Sequence, residues 1–165
     1  MDQSPDSLAG EIVAFFLKVE AAVLEKPGQD ERELLREIGF ADALHLTTKT
    51  SKAALFGGES LVPDYIPTDG KSIVECKYIR KNKDGRFNEY DIKNGLAQIL
   101  EQAVCQKKAK AVFVLLDVGR AGIRDWNPDE MNFVETFKKN PFGIRLEVVR
   151  VRIEKEKQAV ACQII

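Results

Sequence analysis

Histidine is nearly absent: His45 is the only one among 165 residues. Metal centres and nucleases built on several histidines are thereby excluded, and any Ser-His-Asp or Cys-His mechanism would have to run through this one side chain. His45 lies in the alternating stretch Leu44-His45-Leu46-Thr47, which predicts a partly buried strand position rather than a catalytic one. Cysteine is scarce too. Cys76, Cys105 and Cys162 are odd in number, lack CxxC spacing and sit among apolar neighbours, so reduced, buried thiols are expected rather than a disulfide framework or a zinc site. No segment approaches the roughly 18 uninterrupted apolar residues of a membrane span. The first seven residues are polar and acidic, with no basic stretch leading into an apolar one, and the expectation is a cytoplasmic protein with no membrane partner. Net charge is missing as well: 25 Lys+Arg against 26 Asp+Glu leave −1, so any affinity for nucleic acid must come from a local basic patch.

What is present is enough apolar material for one core. With 44% hydrophobic residues in 165, the chain reads as a single domain over 1–165. Apolar residues recur at helical spacing over 7–24 (Leu8, Ile12, Phe15, Phe16, Val19, Val23), with Asp6 or Ser7 as N-cap, and again over 30–38, stopping at Gly39. Strands are expected over 43–48, 61–66 and 72–79. The last two are joined by Pro67-Thr68-Asp69-Gly70-Lys71, whose Asp-Gly step suits a tight antiparallel hairpin. A polar, basic loop over 80–88 leads into a helix over 90–106 with Ile92, Leu96, Ile99, Leu100 and Ala103 on its core face. The nearly continuous apolar run 111–118 predicts an interior strand covered on both faces. Asn127-Pro128-Asp129-Glu130 opens a further helix to about 139, and strands over 144–153 and 158–164 flank the charged turn Glu154-Lys155-Glu156-Lys157. The fold class is α/β with a mixed central sheet in three layers, a core over about 30–118 and a C-terminal helix and hairpin over 128–164.

One segment carries chemistry. An acid-x-Lys triplet occurs three times, at Asp69-Gly70-Lys71, Glu75-Cys76-Lys77 and Asp91-Ile92-Lys93, and Pro-Asp also occurs three times. Neither pattern is informative alone. Only Glu75-Cys76-Lys77 follows apolar strand residues about eleven positions after a Pro-Asp, Pro63-Asp64, that ends another apolar strand. Residues two apart in a strand share a face, so Glu75 and Lys77 point one way while Cys76 turns to the core, and Asp64 reaches the same patch across the hairpin. Singly, Asp64 reads as a turn residue and Glu75 with Lys77 as an exposed pair. Together, two carboxylates and an ammonium on one sheet face have a chemical use. Asp64, Glu75 and the backbone carbonyl of Cys76 offer hard oxygen ligands to Mg²⁺, with Mn²⁺ as a substitute. Lys77 would orient or deprotonate the attacking water, or stabilise charge on the transferring phosphoryl group.

Pro63-Asp64, Glu75-Cys76-Lys77 and the α-β-β-β-α-β order around them resemble the PD-(D/E)xK nucleases, a superfamily that includes restriction endonucleases, junction resolvases and repair nucleases. The resemblance covers about 30–118. It implies a restriction-endonuclease-like fold and metal-dependent phosphodiester hydrolysis, with Asp64, Glu75 and Lys77 in the site. Gln98, in Gly95-Leu96-Ala97-Gln98, matches a glutamine that many members carry on the helix after the third strand. Some members place a glutamate on the first helix; Glu33, Glu37, Glu11 and Glu20 are all candidates, and that role is unassigned. Beside the motif runs a basic stretch, Arg80, Lys81, Lys83 and Arg86, followed by Lys93 and interleaved with Tyr78, Phe87 and Tyr90, suited to holding phosphates and stacking unpaired bases. The expected activity is DNA endonuclease, with an RNA-cleaving toxin-type nuclease or a non-catalytic binding module on the same fold as alternatives. Cutting both strands of a duplex calls for two active sites, which fits a homodimer. Trp126 is read as a hydrophobic staple on the helix that follows it.

Overall fold

The computed structural model describes residues 7–25, 31–48, 65–79, 86–118 and 124–165. It is a mixed α/β fold. One six-stranded sheet runs in the order β1-β2-β3-β4-β5-β6, from β1 (Leu46–Thr48), β2 (Tyr65–Pro67), β3 (Ser72–Ile79), β4 (Lys110–Asp117), β5 (Arg145–Glu154) and β6 (Ala159–Ile164). β1, β2 and β3 form an antiparallel meander; β4 and β5 then add in parallel, and β6 closes the sheet antiparallel to β5. The two parallel steps are bridged in sequence by the two longest helices, α5 (Glu89–Cys105) and α6 (Pro128–Lys138), as a parallel connection requires.

Each face of the sheet has its own core. Val74, Cys76, Val112, Val114, Leu116, Val149 and Val151 project to one side and pack with the N-terminal helices α1 (Leu8–Phe16), α2 (Ala21–Leu24), α3 (Glu31–Glu37) and α4 (Phe40–Ala43). Ile73, Ile79, Ala111, Phe113, Leu115, Leu146 and Val148 project to the other and pack with Ile92, Leu96, Ile99 and Ala103 of α5 and Val134 of α6. Alternation along strands buried on both faces turns a continuous apolar run into two cores. At about 25 cal/mol per Å² of apolar surface, burial of this kind is the main stabilising term. α5 lies close over β4 because Gly95 allows it: a Cβ there would stand 2.7 Å from the ring of Phe113.

Local chemistry sets the boundaries. Ser7 caps α1 by accepting from the Gly10 amide at 3.0 Å. Asn127 and Glu130 form a reciprocal capping box at the start of α6, with Pro128 in its first turn. In the β2–β3 turn Gly70 takes φ +71°, and Asp69 accepts from the amides of Lys71 and Ser72 at 2.8 and 2.9 Å and from the Ser72 hydroxyl at 2.7 Å. Burial acts to raise the Asp69 carboxyl, but these bonds and the nearby Lys110 hold it below its ordinary value.

Three expectations need correction. The single helix over 7–24 is two: the chain tightens after Phe16, with Val19 N–H bonding the Phe16 carbonyl, and Glu20 is extended before α2 begins. The break lets Phe16 and Leu24 both reach the core. His45 is not a buried strand residue; it is exposed, with φ +54°, in the turn after α4, and β1 starts one residue later. Cys105 is exposed at the end of α5, while Cys76 is buried and Cys162 is half-buried, with burial pushing its thiol up to about 12. The expected strand over 61–64 lies outside the described residues. Among the described residues, no helix is long and apolar enough to cross a membrane.

Candidate functional site

β3 begins at the Asp69 turn and runs parallel to β4 with Glu75 opposite Phe113 and Lys77 opposite Leu115. Glu75 and Lys77 therefore stand on the α5 side, and Cys76 projects to the opposite core. Glu75 is 6% exposed and Lys77 is half-buried. The face they share is not open sheet surface: α5 covers its middle and Ile73 and Ile79 flank them.

Gln98 is half-buried on α5, and Arg86 is exposed just before that helix starts. Asp64, Arg80, Lys81 and Lys83 lie outside the described residues. Tyr65, which follows Asp64 in sequence, pairs with Val74, which precedes Glu75, in the antiparallel β2–β3 ladder. Glu75 and the carbonyl of Cys76 are hard oxygen donors that fit Mg²⁺ in kind. Among the described residues, no three His, Cys, Asp or Glu side chains are grouped to hold a metal.

Two features escaped the sequence reading. The first is Glu31, at the start of α3, whose Oε2 accepts from the backbone amide of Tyr78 at 3.0 Å. The Tyr78 hydroxyl in turn donates to the Leu24 carbonyl at the end of α2. No spacing rule separates Glu31 from the other glutamates of the N-terminal helices, so only the packing of α3 against β3 reveals it.

The second is a buried charged cluster on the Glu75–Lys77 face, toward the C-terminal ends of the parallel strands. Arg150 lies opposite Leu115, in one cross-strand row with Lys77, and Asp117 is two residues farther along β4, opposite Ile79. Arg150 is 0% and Asp117 2% exposed. Asp117 Oδ2 accepts from Arg150 Nε at 3.0 Å and from Trp126 Nε1 at 3.2 Å. The guanidinium carbon of Arg150 stands 4.5 Å from the centre of the Trp126 ring, and its Nη2 donates to the Arg124 carbonyl at 2.9 Å. Burial raises the Asp117 carboxyl above its ordinary value, against the pull of Arg150 and Trp126, and lowers the Arg150 guanidinium. Trp126 thus locks the start of α6 onto the ends of β4 and β5, and Phe87, just before α5, packs edge-on against it at 4.9 Å. The signal in sequence was a lone acid ending an apolar strand (Leu115-Leu116-Asp117) and an arginine between two valines in another (Val149-Arg150-Val151).

Next to this cluster Arg124 grips Glu130 with both nitrogens, at 2.9 and 2.7 Å. The Arg124 hydrogen bond holds the Glu130 carboxyl below its ordinary value, against a smaller effect of burial, with the Asn127 amide helping to lower it. A depressed folded value means that the stability is complete above the unfolded value and is lost as pH falls through the folded one. Glu130→Gln, which keeps an acceptor for the cap, is expected to cost about 0.5–1 kcal/mol at pH 7. Urea titrations from pH 7 to 3 should show the gap closing with acid, and a constant gap would contradict the pairing.

Compared with protein-family models, curated proteins and solved structures, the chain matches none.

Proposed function

We propose that this chain is a metal-dependent phosphodiesterase, a DNA endonuclease on a three-layer restriction-endonuclease-like fold similar to the PD-(D/E)xK nucleases. The observation that carries the reading is the juxtaposition on β3: Glu75 and Lys77 share one face, and the residue after Asp64 pairs with the residue before Glu75. A three-strand meander followed by a helix and a parallel fourth strand supports it.

In this reading Asp64, Glu75 and the Cys76 carbonyl would hold Mg²⁺, or Mn²⁺ in its place. When bound, the ion supplies positive charge toward a phosphate oxygen and acidifies water. Lys77, on the same face as Glu75, would orient the attacking water or take its proton, or would stabilise the phosphoryl oxygens by its charge as negative charge develops. Gln98, half-buried on the covering helix α5, would join the site from that side. Arg86 and Lys93, both exposed at the start of α5, hold the nucleic-acid backbone together with Arg80, Lys81 and Lys83.

The test is cleavage of supercoiled plasmid, single-stranded DNA and tRNA with Mg²⁺, with Mn²⁺ and with EDTA. Metal-dependent nicking or linearisation of plasmid, lost in EDTA, is the expected result. Cleavage confined to tRNA would replace DNA by RNA as the substrate. Binding without cleavage under either metal would overturn the enzyme and leave a nucleic-acid-binding module.

A further inference from the structure

At the Lys77 end of β3, which pairs with β4 on one edge, the strand's backbone is also bound by a side chain. Tyr78 directly follows Lys77, and its N–H donates to Glu31 Oε2 at 3.0 Å across 47 positions of sequence. That N–H projects away from β4, on the side where Val74 pairs with Tyr65. Backbone groups of residues two apart in a strand project to the same side, so the Cys76 carbonyl faces the same edge as the amide that Glu31 binds. The Tyr78 side chain turns to the opposite face from Lys77 and is tied there by its hydroxyl to the Leu24 carbonyl.

From this geometry we infer that Glu31 is a positioning residue: by binding the Tyr78 amide it fixes the Cys76–Lys77–Tyr78 backbone, and with it the direction of the Cys76 carbonyl and the Lys77 side chain. The inference rests on the nuclease reading. A carboxylate accepting a backbone N–H makes a charge-assisted bond of the stronger kind, and displacements of about 1 Å at reacting groups cost around 10²-fold in rate. The contribution comes from an acceptor oxygen, so a neutral amide of the same shape keeps it.

Glu31→Ala and Glu31→Gln separate this role from a ligand's. Plasmid cleavage with Mg²⁺ is measured for both as kcat and KM, and amide hydrogen exchange at Tyr78 is followed by NMR. Glu31→Ala is expected to lower kcat roughly 10- to 100-fold with KM little changed, and to speed exchange at Tyr78. Glu31→Gln is expected to restore both toward wild type. Equal loss of kcat in the two variants with Tyr78 protected in Glu31→Gln would overturn the role, since charge and not the hydrogen bond would then matter. Faster exchange in Glu31→Ala with unchanged kcat would overturn it too. A wild type that cuts no substrate removes the nuclease reading and the positioning role with it, and is told apart by the absence of any rate to compare.

Discussion

Lys77→Ala is expected to lower metal-dependent cleavage by roughly 10²–10⁴-fold, the range for losing a positioned proton-transfer or charge-stabilising group. The fold should tolerate it. Lys77 is half-buried, and the apolar contacts of β3 on that face come from Ile73 and Ile79, so the thermal midpoint should move by only a few degrees. Lys77→Arg then separates the two chemical roles. Arginine keeps the positive charge and does not give up its proton near neutrality. Residual cleavage well above that of the alanine variant would assign Lys77 to charge stabilisation, and equal loss in both would assign it to proton transfer. Full activity in Lys77→Ala would remove the mechanism.

The largest effect on stability is expected at Asp117. Replacing it with alanine leaves the fully buried Arg150 guanidinium without its carboxylate and Trp126 Nε1 without its acceptor. Breaking one side of a buried pair costs about 3–5 kcal/mol, a large part of the roughly 5–15 kcal/mol that holds a domain together, and corresponds to a fall of roughly 10 °C in the midpoint. The double variant Asp117→Leu, Arg150→Met removes both charges and should recover much of the loss, because the desolvation of two ions disappears with their attraction. Urea unfolding at pH 7 reads all three. A loss under about 1 kcal/mol in Asp117→Ala would mean that water reaches Arg150 and that the pair contributes little.

Patterns confined to one element were legible in the sequence. The period of two in Ser72–Ile79 put Glu75 and Lys77 on one side, and the apolar run at Lys110–Asp117 announced an interior strand. Helical spacing over Glu89–Cys105 found every residue of the expected core face, and the Asn127-Pro128-Asp129-Glu130 cap marked the start of α6. What the sequence concealed depends on register between elements. Asp117 and Arg150 are 33 positions apart, and nothing local says that β5 slides alongside β4 until they meet. Glu31 reaches Tyr78 only because α3 crosses the edge of β3. The break after Phe16 was invisible because helical spacing continues through Val19 and Val23 while the backbone does not. His45 was misplaced by a single residue at a strand start, where alternation cannot tell a turn from the strand it precedes.

The order of strands in space is the order of strands in the chain, and this bears on how the molecule acquires its shape. No strand has to be inserted between two that are already paired, so each addition uses an edge left by the one before. Loop closure stays inexpensive at the β2–β3 and β5–β6 hairpins, where few residues separate partners, and is greatest at the two parallel crossovers spanned by α5 and α6. The slow events of folding therefore belong to the docking of β4 and β5, the strands that carry the Asp117–Arg150 pair, while the short β2–β3 hairpin that carries Glu75 and Lys77 closes at lower entropic cost.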